Sequence, residues 1–130
     1  MNLQEQAKIY YTDQGKNCAV AMLLAGSDAY SLGLGAEDAK LLVGFGGGMG
    51  CGSTCGALAG SIAVLGKVFS GREDFRSLCG KFVKIFRDGL QQDSTDCAKL
   101  AAKYKSADRK CEAVVVRTAE LLEMFIAENR

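Results

Sequence analysis

A chain of 130 residues fits one domain, and its balance of 48% apolar to 24% charged residues disfavours intrinsic disorder. Its 16 basic and 15 acidic side chains give a formal net charge of +1, which leaves no electrostatic footprint for nucleic acid or an anionic membrane. Histidine is absent, and this excludes a Ser-His-Asp or Cys-His catalytic device as well as a histidine ligand to metal or haem.

The first half of the chain is predicted to form short helices separated by turns. Apolar residues at helical spacing indicate the first helix, and Asn17 is suited to cap the second. The predicted segments are a helix within residues 2–14, a helix from Cys18 to Ala25, turns over residues 26–35 and a short helix from Glu37 to Val43.

A glycine-rich loop, residues 44–52, precedes the predicted central helix. The loop contains too much glycine for a helix interior. Ser53 or Thr54 is predicted to cap the helix that follows and runs to about Phe69. Small residues leave one face of this helix open to close approach by another backbone, in the core or in a homodimer. They are Gly56, Ala59, Gly60 and Ala63.

The second half of the chain is predicted to contain three more helices. One runs from Arg72 to about Arg87 and ends at Gly89, the next is capped by Asp93 or Ser94, and the last runs from about Asp108 to Ala127. Strand alternation is absent from the pattern, and the apolar run after the glycine loop is too short to span a membrane. We therefore expect an all-α, single-domain helical bundle of five to seven helices over residues 1–130.

The six cysteines are the residues most suited to chemistry. The amino terminus is too polar for a signal peptide, so we expect a cytoplasmic protein, in which stable structural disulfides are rare. The spacing lacks a CxxC pair, which argues against a thioredoxin-like dithiol and a zinc ribbon. Catalytic, metal-binding and core roles all remain open for these cysteines.

Cys55 is the strongest candidate, because its predicted place in the first turn of a helix lowers the pKa of a thiol. Cys18 follows Asn17 at another predicted helix start, and the same argument applies to it. Cys97 and Cys111 also lie near predicted helix starts. Cys51 is a candidate resolving thiol, four residues before Cys55. Cys79 shares a face with phenylalanines and is predicted to be a buried core residue.

Gly46, Gly47 and Gly48 are candidate contacts for a cofactor or a partner, because a backbone without side chains permits close approach. Neither GxGxxG nor GxxxxGK[ST] fits this loop, and no strand precedes it, which disfavours nucleotide binding. A basic cluster later in the chain is predicted to be a solvated face, with an anionic redox partner as the alternative. It consists of Lys99, Lys103, Lys105, Arg109 and Lys110.

Several segments together resemble the C_GCAxxG_C_C family, a group of redox-active proteins named for its cysteine pattern. They are Asn17-Cys18-Ala19, the loop from Gly44 to Gly50, the stretch from Thr54 to Gly60, Cys97 and Cys111. The resemblance implies an α-helical domain whose pattern cysteines are Cys18, Cys55, Cys97 and Cys111. A related domain in split-Soret cytochromes implies that these cysteines can hold an iron–sulfur centre. This chain departs from the pattern at Cys55-Gly56-Ala57, which is one residue longer after the cysteine.

Three hypotheses for function follow. In the first, a thiol oxidoreductase uses Cys55 as the attacking thiol, Cys18 or Cys51 as the resolving thiol, and Cys97 with Cys111 as a second pair. In the second, the four pattern cysteines bind an iron–sulfur cluster or zinc. In the third, a helical interaction domain has cysteines only in its core. The first two require that distant helix ends meet.

Overall fold

The computed structural model describes residues 2–130 and places seven α-helices and no strand in that range. This confirms the predicted all-α bundle. Two isolated bridges pair Thr54 with Asp96 and Ser106 with Lys110. The helices are α1 (Leu3–Lys8), α2 (Cys18–Tyr30), α3 (Ala36–Ala39), α4 (Gly56–Phe69), α5 (Phe75–Gly89), α6 (Cys97–Tyr104) and α7 (Glu112–Asn129), with a π-helical turn at Ile9–Asp13 and a 3-10 helix at Lys40–Phe45.

Helix α2 begins where the sequence predicts, because the Asn17 side chain accepts a hydrogen bond from the backbone N–H of Val20 at 2.9 Å. The predicted end at Ala25 is wrong, since the helix continues to Tyr30. Gly26 lies inside it because a side chain there would meet the Val64 methyl groups of α4 at 2.5 and 2.9 Å. A packing contact between helices therefore outweighs the low helix propensity of glycine.

Helix α4 lies at the centre of the domain, packed against α2. Gly60 faces the Ala19 carbonyl oxygen of α2 so closely that no side chain fits between the two helices. The prediction of a small face for close packing is confirmed, and the glycines of that face are used inside the domain. The predicted cap at Ser53 or Thr54 is wrong, because α4 begins at Gly56 and Thr54 pairs with Asp96 instead.

The later helices also begin further along the chain than predicted. Turns occupy the residues before Phe75, where an ion pair joins Arg72 to Asp74. The predicted cap of α6 at Asp93 or Ser94 is wrong, since Asp96 precedes the helix and the Ser94 hydroxyl accepts the N–H of Asp96 at 3.0 Å.

Helix α7 begins at Glu112 rather than near Asp108, because Lys110 has a left-handed backbone (φ 52°) that no helix accommodates. The core between α5 and α7 contains Phe82 packed on Phe125, with ring centroids 5.4 Å apart. Within residues 2–130, every helix is too short or too polar to cross a membrane.

Candidate functional site

Four helices of the bundle begin at the four pattern cysteines. Cys18 is the first residue of α2 and Cys97 the first of α6, whereas Cys55 and Cys111 are the residues immediately before α4 and α7. The predicted location of these cysteines at helix starts is therefore confirmed.

Three of these thiols share one surface cavity of about 300 Å³. Cys18, Cys97 and Cys111 all line it, although they come from three different helices. Cys55 is buried, with 5% of its surface exposed, and does not line the cavity. The remaining lining residues are Tyr11, Gly15, Lys16, Asn17, Gly47, Ala101, Lys105 and Lys110.

Backbone hydrogen bonds hold the starts of α4 and α6 side by side. The N–H of Cys55 donates to the carbonyl of Thr95 at 2.8 Å, and the N–H of Cys97 donates to the carbonyl of Ser53 at 2.5 Å. The two segments therefore run alongside each other at residues 53–55 and 95–97. This pairing places Cys97 beside Cys55 without any contribution from side chains.

The glycine-rich loop covers one side of this junction. Gly48 has a left-handed backbone (φ 66°), and a side chain there would meet the Cys97 Cβ atom at 2.6 Å. Gly46 packs on the side chain of Asn17, whereas Gly47 lines the cavity with no atom that would obstruct a side chain. Of the three candidate glycines, Gly47 is thus the one open to a bound molecule.

Cys18 lies at the centre of the group. Its sulfur packs against the Cα atom of Gly56, at the start of α4. A negative charge on Cys18 raises the pKa of Cys55, of Cys97 and of Cys111, so all three thiols lie within electrostatic reach of it. The four pattern cysteines therefore form one neighbourhood at the same end of the bundle.

The expected low pKa of Cys55 is wrong. Burial raises the pKa of this thiol to about 12, and the charges of Cys18 and Cys97 act in the same direction. The backbone N–H groups of Leu58 and Ala57 act to lower its pKa, as expected at a helix start. Desolvation of the thiolate outweighs them, because the side chain is removed from water.

Cys97 and Cys111 are half-buried, and desolvation raises the pKa of each. The charge of Lys105 acts in the opposite direction at both thiols, but desolvation outweighs it and both pKa values stay raised. The Tyr11 hydroxyl accepts a hydrogen bond from the N–H of Cys111 at 3.1 Å. Tyr11 thus holds the backbone of Cys111, whereas Lys105 acts on the two thiols through its charge.

The sequence provides no signal for Tyr11, which precedes Cys111 by 100 positions. It shows the basic cluster without a link to the cysteines. Lys105 and Lys110 of that cluster line the cavity, whereas Lys99, Lys103 and Arg109 do not.

The remaining two cysteines do not line the cavity. Cys51 is exposed in the turn Gly48–Gly52, where its thiol donates to the carbonyl of Gly48 at 3.5 Å. Its role as a resolving thiol stays a prediction. Cys79 is half-buried on α5 rather than buried as predicted, because Leu78 and Phe82 fill the core side of that helix.

The four pattern cysteines, as they stand, are not arranged as metal ligands. Across residues 2–130, no group of three or more Cys, Asp or Glu side chains surrounds a common point in the manner of a metal site. Four thiolates would suit an iron–sulfur centre chemically, but their placement here does not fit one. The role of these four cysteines as metal ligands stays a prediction.

Residues 16–125 match a family model described as "Putative redox-active protein (C_GCAxxG_C_C)". No curated protein and no solved structure matches the chain. The matched segment includes all four pattern cysteines and most of the bundle. The chain belongs to the C_GCAxxG_C_C family, whose name indicates a redox-active protein.

Proposed function

We propose that this protein is a thiol–disulfide redox protein whose reacting thiols are Cys18, Cys97 and Cys111. The observation that carries the proposal is their shared cavity, since three thiols from three helices line one accessible space. Disulfide exchange requires that thiols meet each other and a partner, and a shared accessible cavity supports such an exchange.

Cys18 is proposed as the thiol common to each disulfide. It lines the same cavity as Cys97 and Cys111, and its charge acts on both of them. Desolvation raises the pKa of Cys97 and of Cys111, and the nearby charge of Lys105 offsets part of that effect at both. In the proposal, Cys97 or Cys111 attacks because both line the accessible cavity beside Lys105, and Cys18 resolves the mixed disulfide.

The reaction balances as an exchange between a protein dithiol and a partner disulfide. The attacking thiolate forms a bond to one partner sulfur, and the partner's own S–S bond breaks and releases a thiol. Cys18 then attacks the mixed disulfide and releases the second partner thiol. Two protein thiols are oxidised to one disulfide, and one partner disulfide is reduced to two thiols that take up the two protons.

Cys55 has a different proposed role from the one its sequence position suggested. Its raised pKa keeps it as a neutral thiol, and its burial keeps a partner from its sulfur. We assign it to the packing between α4 and α6, beneath the three reacting thiols.

Thiol counting on protein purified without oxygen tests the proposal. The oxidised protein should be colourless, free of iron, and should gain two thiols when a reductant is added. Peptide mapping should identify Cys18 linked to Cys97 or to Cys111. Cys18→Ser should abolish the disulfide, whereas Cys79→Ser, on a different face, should leave it intact.

Two other results would contradict the proposal, and each supports one of the other hypotheses. A brown protein that contains iron and protects its pattern cysteines from alkylation would establish the cluster. An unchanged count of six thiols in both states, without metal, would leave a helical interaction domain.

A further inference from the structure

The cavity that holds the three thiols is positively charged. Lys16, Lys105 and Lys110 line it, and none of the lining residues is acidic. These lysines come from the loop before α2 and from the turn between α6 and α7, so the fold brings separate segments together. The charge is concentrated here although the whole chain is nearly neutral.

The charge of these lysines is available to a bound molecule. None of the ion pairs formed within residues 2–130 includes Lys16, Lys105 or Lys110. Glu112, the acidic residue that directly follows Cys111, is turned away, because Thr12 and Arg109 hold its carboxylate. Glu112 lines a neighbouring cavity instead, which Lys110 also borders.

We propose that this cavity selects small anionic thiols and disulfides that carry carboxylate groups, an inference that rests on the thiol–disulfide function proposed above. The volume of about 300 Å³ admits a small molecule, at the lower end of the range for ligand sites. Three lysines attract its carboxylates, and Cys97 and Cys111 lie within the same space to reach its sulfur.

The chemistry is the balanced exchange given above, with the small molecule as the partner. Its S–S bond breaks when Cys97 or Cys111 attacks, and it leaves as two carboxylate-bearing thiols. In the reverse direction the same thiols reduce the protein disulfide. Lysine contacts to the carboxylates hold the molecule in place and also offset the repulsion between its charge and an attacking thiolate.

Alkylation with two reagents that differ by one charge tests the selection. Iodoacetate is anionic and iodoacetamide is neutral, and mass spectrometry reports the rate of each at every cysteine. The ratio of the two rates cancels any change in thiol pKa. We expect a ratio about fivefold higher at Cys97 and Cys111 than at the exposed Cys51, and a decrease of that ratio in high salt.

The matched variants are a triple replacement and a control. Lys16→Gln, Lys105→Gln and Lys110→Gln together should bring the ratio at Cys97 and Cys111 down to that of Cys51. Lys99→Gln removes an exposed positive charge outside the cavity and should leave the ratio unchanged. A ratio equal at all three cysteines in the wild-type protein, or one that salt does not change, would overturn the inference even if the triple variant does not fold.

A second pair of reagents separates this inference from the proposed function. Dithiodipropionate carries two carboxylates, and hydroxyethyl disulfide carries none. Oxidation of the reduced protein by both at equal rates, with no preference for iodoacetate, would reject anion selection and keep the redox function. A preference for iodoacetate without formation of a protein disulfide would keep anion selection and reject the redox function.

Discussion

The sulfur of Cys18 occupies the space that a side chain at position 56 would need. Gly56 is the first residue of α4, and a Cβ atom there would also meet the carbonyl oxygen of Phe45 at 2.9 Å. The close approach of α2 and α4 at this end of the bundle therefore also positions the Cys18 thiol.

Gly56→Ala should consequently destabilise the protein and displace the Cys18 thiol. We expect the free energy of unfolding to fall by about 1–3 kcal/mol, the usual cost of overpacking. Gly80→Ala is the matched control, because nothing lies within 4 Å of a side chain at that exposed helical position. Gly80→Ala should stabilise α5 by about 0.5–1 kcal/mol.

Denaturant unfolding measures both variants, and alkylation of Cys18 reports the displacement. A Gly56→Ala protein as stable as the wild type, with an unchanged alkylation rate at Cys18, would show that the two residues are not in contact.

The buried Cys55 thiol should make the folded state sensitive to high pH. Its pKa of about 12 in the folded protein lies above the ordinary value of 9.0 for a thiol. A raised pKa means that the folded state holds the proton more tightly, so stability is complete below the ordinary value and is lost as the pH rises toward the folded value. The loss between about pH 8 and pH 10 should be about 1.4 kcal/mol.

Cys55→Ala isolates this effect, since every other titrating group is common to both proteins. Chemical denaturation across that pH range should show a steeper loss of stability for the wild type than for the variant. Parallel pH profiles would mean that Cys55 is exposed to solvent in the folded state.

Tyr11 is predicted to fix the start of α7, where its hydroxyl accepts the N–H of Cys111. Tyr11→Phe leaves that N–H without its acceptor and should lower the free energy of unfolding by about 1 kcal/mol. The amide hydrogen of Cys111 should then exchange faster with solvent.

Tyr104→Phe provides the comparison, because the Tyr104 hydroxyl donates to the carbonyl of Leu90 at 2.7 Å and does not bond to Cys111. It should cost similar stability and leave exchange at Cys111 unchanged. Equal exchange rates at Cys111 in both variants would show that the Tyr11 hydroxyl does not protect the N–H of Cys111.

Local sequence signals predicted many of the helices and their packing, but not the pairing between the segments that precede α4 and α6. Asn17 caps α2 as its residue type indicates, and the small face of α4 packs as its glycines indicate. The cap of α4 was mispredicted, because Thr54 pairs with Asp96, a partner 42 positions away that no local pattern reveals.

For the cysteines, too, local patterns indicate the position of each residue but not its distant neighbours. Position at a helix start was readable from the sequence, and it correctly indicated that backbone N–H groups would favour a thiolate at Cys55. The burial that raises the pKa of Cys55 depends on how whole helices pack, which a local pattern does not reveal. Helix packing also brings Cys18, Cys97 and Cys111 to one cavity.

The hydrogen bond between Thr12 and Glu112 should make the stability of the protein depend on pH in the acidic range. The Thr12 hydroxyl donates to the Glu112 carboxylate at 2.6 Å and is the main cause of the lowered pKa of that carboxyl group, while desolvation acts against it. A lowered pKa stabilises the folded state above the ordinary value of 4.5, and this contribution is lost as the pH falls through the folded value.

Thr12→Val should therefore lower the free energy of unfolding by about 1 kcal/mol near pH 7 and by less at a pH below the folded pKa of Glu112, where the carboxyl group is protonated in both states. Thr118→Val is the control, because the Thr118 hydroxyl bonds to the carbonyl of Val114, which does not titrate. Its cost should be the same at both pH values. If urea unfolding shows a pH-independent cost for Thr12→Val too, then the hydroxyl does not hold the charged carboxylate beside the cysteine cavity.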